Sequence, residues 1–124
     1  MDPRVKTEFY EDYLRGACIS VRDYERATLR LPDEGALFPL GQTVMTPGAQ
    51  SALEESGQSP TSFLRRHQAG DWGELDHEDS QENCFSLGRG LRLLSVYRTA
   101  SGEKLYVITE ADRSCSTILL TTEY

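Results

Sequence analysis

Glu110, Arg113 and a histidine, His67 or His77, are the side chains whose types suit acid–base chemistry on a phosphate ester. A carboxylate can take a proton, an imidazole can return it, and a guanidinium can hold the anionic phosphoryl group. Glu110 and Arg113 are followed closely by the hydroxyls of Ser114, Ser116 and Thr117, so acid, cation and hydroxyls are concentrated at one predicted turn. This is the equipment of a small metal-independent ribonuclease or toxin, provided that a helix carries His67 or His77 across to it. The plainer reading is that Glu110 and Arg113 form an ion pair that stiffens the turn, while His67 packs on an apolar helix face.

A second cluster is acidic. Asp71, Glu74, Asp76, Glu78, Asp79 and Glu82 fall within twelve residues that contain no Lys or Arg. With Trp72 they form the candidate binding surface, a ridge that would steer association with the basic groove of a nucleic-acid-handling host protein. The plainer reading is a solvated first helical turn, where negative charge suits the positive end of the helix dipole. Trp72, set between Gly70 and Gly73, is expected to anchor a turn rather than touch a ligand. Asp76-His77-Glu78-Asp79 lacks the spacing of a calcium loop or a zinc helix, so no metal ligands and no cofactor are expected. There is no GxxxxGK[ST], GxGxxG, HExxH or GxSxG, and Asn83 is the sole asparagine, so a methyltransferase Asn-Pro signature is absent too.

These residues must be positioned by a small domain. The chain has 124 residues, enough for one core. Its formal charge of −7 disfavours direct nucleic-acid binding by counterion release. A dimeric transcriptional regulator would have to build its basic patch from Arg65, Arg66, Arg89 and Arg92. No run of 18 apolar residues occurs, and the start lacks a signal-peptide core, so no membrane contact and a cytoplasmic location are expected. Cys18, Cys84 and Cys115 are widely spaced and odd in number, which predicts buried free thiols.

Val5, Phe9, Tyr10, Tyr13 and Leu14 recur at helical spacing before Gly16; residues 19–31 are ambiguous and lean towards extended structure; 31–35 read as a turn or linker. Residues 41–45 suit a strand. Thr46-Pro47 and Ser59-Pro60 are helix starts, with stops at Gly57 and Gly70. A third helix is predicted from Leu75 or Asp76 to Leu87, capped by Gly88 and Gly90. Strands over 91–99, 104–110 and 115–121, joined by short connections, predict an antiparallel meander. The fold class is therefore α+β, with short helices on a small antiparallel sheet. Aliphatics at both parities of the strands predict that both sheet faces are covered, one by helices and the other by the N-terminal segment or a second subunit, so a homodimer through the sheet is an expectation.

Phe38-Pro39-Leu40-Gly41-Gln42, Thr46-Pro47-Gly48-Ala49, Arg66-His67-Gln68-Ala69-Gly70-Asp71-Trp72-Gly73, Leu91-Arg92-Leu93-Leu94-Ser95-Val96-Tyr97 and Ile108-Thr109-Glu110-Ala111-Asp112-Arg113-Ser114, with the terminal Glu123-Tyr124, together carry a resemblance. Over residues 38–124 the chain resembles small bacterial proteins of plasmids and other mobile elements. The resemblance implies a compact domain over 38–124, with 1–37 as an N-terminal extension, and an accessory role. The leading expectation is an interaction protein that binds a host protein through the acidic ridge, with counter-defence inhibition as its specific form.

Overall fold

The computed structural model describes residues 19–24 and 36–124. The helix expected near residues 5–14, the 31–35 linker and Cys18 lie outside them. Among the described residues the elements run β1 (Ile19–Ser20), α1 (Val21–Tyr24), β2 (Gln42–Met45), α2 (Pro47–Ser56), α3 (Pro60–Gln68), α4 (His77–Arg89), β3 (Leu93–Arg98), β4 (Lys104–Thr109), β5 (Cys115–Leu120) and a 3-10 turn, Thr121–Glu123. No helix among them is long and apolar enough to cross a membrane.

The helices begin where local chemistry satisfies their first N–H groups. Thr46 Oγ1 accepts from the Ala49 amide ahead of Pro47, and Ser59 Oγ accepts from Thr61 ahead of Pro60. Asp76 Oδ1 accepts from the Asp79 amide and opens α4. That helix passes through Gly88, where the sequence suggested a stop, and ends at left-handed Gly90.

The sheet order is β1-β2-β5-β4-β3, and β3, β4 and β5 form the expected antiparallel meander. The sheet is nonetheless mixed, because β2 runs parallel to β5 with Val44 opposite Thr117. Ile19 and Ser20 pair with Met45 and Val44. Part of the expected extension thus supplies a strand, and the adjacent Val21 is buried in the main core.

On one face, Met45, Leu93, Tyr97, Leu105, Val107 and Ile118 pack with Ala49 and Leu53 of α2, Phe63 and Leu64 of α3, and Phe38, Leu40 and Trp72. On the other, Leu94, Val96, Ile108 and Leu119 form a second cluster, with Leu75, Tyr106 and Tyr124 packed against it. Among the described residues both faces are covered within one chain, so a second subunit is not needed to cover the sheet.

The outer edge of β3 is closed as well. The Val96 amide donates to the Trp72 carbonyl at 3.1 Å and the Glu74 amide to the Val96 carbonyl at 2.6 Å. Gly73 makes this approach possible: its φ is +72°, and a Cβ there would lie 2.0 Å from the Val96 oxygen. Farther along, the Asn83 side chain bonds both backbone groups of Leu94, substituting for a neighbouring strand. Asn83 and Ser86 are the buried residues of α4; Leu87 is partly buried against the main core, while the largest side chain, Phe85, is 53% exposed.

Candidate functional site

His67 projects from α3 into the main core and is wholly buried. Its Nδ1 lies 2.5 Å from Ser95 Oγ and its Nε2 2.8 Å from Thr109 Oγ1. Thr109 Oγ1 is 2.7 Å from Ser116 Oγ, which donates to the Leu40 carbonyl at 2.8 Å. The hydroxyl protons fix the direction of this chain. Ser116 spends its proton on Leu40, so Thr109 donates to Ser116 and must accept from His67 Nε2–H; Nδ1 then accepts from Ser95. His67 is a neutral imidazole protonated at Nε2. Burial, reinforced by the positive charge of Arg113, holds its pKa down at about 3, against an ordinary 6.5. The rings of Phe38 and Trp72 meet it edge-on, with centroids 5.1 and 5.6 Å away.

Glu110 and Arg113 do not pair through their side chains, contrary to the plainer expectation. Glu110 pairs instead with Arg92, both about nine-tenths buried: Nη2 donates to Oε1 at 3.2 Å, while Nε stands 2.7 Å from Oε2, off line for a directed hydrogen bond. Burial raises the Glu110 pKa and Arg92 opposes that rise. Arg113 sits at φ +62°, a left-handed position that favours glycine. Its guanidinium donates to the carbonyls of Leu91, Glu110, Ala111 and Ser86, joining the β4–β5 turn to the end of α4. Each member of the ribonuclease set is engaged elsewhere: His67 is buried with both nitrogens bonded, Glu110 is paired with Arg92, and the Arg113 guanidinium donates to backbone carbonyls.

The acidic ridge divides into members with different work. Asp71 pairs with Arg66 at 2.7 Å and accepts from the Gly73 amide, and Arg66 holds its carboxyl below the usual range. Glu74 pairs with Arg98 through two contacts of 3.2 Å, and that hydrogen-bonded partner lowers its pKa too. Trp72 is buried, as an anchor should be. Asp76 caps α4, and Asp79 supplies the capped amide. Glu78 and Glu82, four residues apart, are both exposed. His77, the other histidine considered for catalysis, is exposed at the start of α4. Among the described residues, no three His, Cys, Asp or Glu side chains gather as they would to hold a metal ion.

No family model, curated protein or solved structure matches this chain. The resemblance to mobile-element proteins therefore stands on the quoted segments alone. Two features escaped the sequence reading. Arg92, considered only for a basic patch, is the partner of Glu110. Cys84, expected inside, is exposed on α4 one residue before Phe85, while Cys115 is buried. An apolar stripe would have signalled the orientation of α4, but its two fully buried residues, Asn83 and Ser86, are polar and only Leu87 adds partly buried apolar surface.

Proposed function

We propose that this is an accessory interaction protein, and that its working surface is the acidic outer face at the start of α4. The observation that carries this reading is the exposure of Glu78 and Glu82 one turn apart, neither of them in an ion pair among the described residues. The helix beneath them is held rigidly by the Asp76 cap and the Asn83–Leu94 bonds, so the charges are presented without a large ordering cost. Their complement is a basic surface on a host nucleic-acid-handling protein, and a counter-defence inhibitor is the form that the mobile-element resemblance favours. The engagement of His67 by Ser95 and Thr109, of Glu110 by Arg92 and of Arg113 by backbone carbonyls weighs against the nuclease reading. The engagement of Arg66 by Asp71 and of Arg92 by Glu110 weighs against a DNA-binding patch.

The test is capture from host lysate with the native chain and with Glu78→Lys plus Glu82→Lys. A specific partner lost by the variant supports the proposal, whereas retention of every specific partner refutes it. Growth arrest on expression that Glu110→Gln relieves would restore the ribonuclease reading.

A further inference from the structure

The second half of α4 carries a different surface. Phe85 is 53% exposed, and Leu91 beyond the helix end is 46% exposed. The Leu91 amide returns to the Ser86 carbonyl at 3.2 Å, which folds Leu91 back over the last turn of the helix, next to the turn that carries Phe85. Arg89 lies over the Phe85 ring at 4.7 Å and covers one side of it. One turn from Phe85 is Gly88, inside the helix, exposed, and with nothing within 4 Å of a would-be Cβ. Neither a left-handed backbone nor packing among the described residues accounts for a glycine there, and glycine costs a helix interior about 1 kcal/mol relative to alanine.

An exposed aromatic beside a bare stretch of backbone is a knob beside a hole. Both lie on one helix face with an acid, Glu82, on the N-terminal side and a base, Arg89, on the C-terminal side. A two-fold axis near residues 86 and 87 satisfies all of these at once. Antiparallel packing of two α4 helices sets Phe85 of each copy over Gly88 of the other and brings each Arg89 within a turn of Glu82 of the second copy. The dipoles oppose favourably, and the contact is isologous, hence closed. We infer that the chain self-associates through the Phe85–Gly88–Arg89 face of α4. Glu78 lies outside this contact, whereas Glu82 is shared with the proposed partner surface, so a dimer would leave Glu78 of each copy as an exposed acid at its helix start.

Sedimentation equilibrium of the full chain across a dilution series tests this. The mass should approach twice the 13.9 kDa of the monomer. Phe85→Ser should raise the dimer Kd at least about 30-fold, the effect of losing a central aromatic anchor. Gly88→Gln should weaken the dimer as well; a variant that only gains thermal stability, at unchanged mass, contradicts the contact. Glu82→Arg and Arg89→Glu should each weaken association and together restore it. A monomer at every concentration, or a dimer indifferent to Phe85→Ser and Gly88→Gln, or a charge swap without rescue, overturns the inference. Because Glu82 serves both contacts, Glu78→Lys alone separates them: it should leave the mass unchanged while weakening partner capture, which keeps failure of the dimer distinct from failure of the partner surface.

Discussion

Acid should destabilise this protein well above the pH at which carboxylates protonate, because His67 is buried as a neutral ring. Its folded pKa, about 3, lies below the unfolded 6.5, so its contribution is fully present above pH 6.5 and is lost as pH falls towards 3. At about 1.4 kcal/mol per unit, the whole interval is worth about 5 kcal/mol, and about 2 kcal/mol of that has gone by pH 5. Arg113 adds to the penalty of a charged ring. Glu110, whose pKa is raised by burial, works in the opposite direction as pH falls. Urea unfolding followed between about pH 7.5 and pH 5 should show the midpoint falling by about 1 M. His67→Gln removes the titrating group, and although it lowers stability at neutral pH, its midpoint should be nearly flat over that interval. A native chain that is flat between those pH values, or a variant with the native slope, would refute the buried neutral histidine. Nitrogen-15 spectra should independently find the proton on Nε2.

Other substitutions probe the neighbouring contacts. Arg113→Ala should cost about 2–4 kcal/mol by chemical denaturation, because it removes the contacts to four carbonyls. Arg113→Gly should be about 1 kcal/mol less damaging than Arg113→Ala despite the smaller side chain, since glycine is at ease at positive φ. Asn83→Ala leaves both backbone groups of Leu94 without their partner, so the Leu94 amide should lose hydrogen-exchange protection and stability should fall by about 2 kcal/mol. Arg92→Met should cost about 3–5 kcal/mol at neutral pH by stranding the Glu110 carboxylate, and a thermal melt at lower pH should recover part of the loss as that carboxylate protonates.

Much of the fold is legible because its signals are local. Thr46-Pro47 and Gly57 bracket α2 through bonds spanning a few residues, and the short 99–103 and 110–114 connections compel the antiparallel meander. The parallel pairing of β2 with β5 has no local signature, since its partners are more than 70 residues apart. The orientation of α4 escaped for another reason: Asn83 faces inward because the edge of β3 at Leu94 takes hydrogen bonds from it, a demand that no apolar pattern announces.

The candidate site divides in the same way. The sequence by itself determined which residues carry charge, where acids concentrate and which helix presents them, because composition and capping are properties of neighbours along the chain. Tertiary structure decided what each charge is for. It paired Glu110 with Arg92 across 18 residues and placed His67 between Ser95 and Thr109, 28 and 42 residues away. The same glutamate, arginine and histidine could have formed a reactive centre or a set of internal ties. Their burial and their partners distinguish the two, because a carboxylate or an imidazole out of water is governed by whatever group satisfies it there, and only the folded chain brings that group within reach.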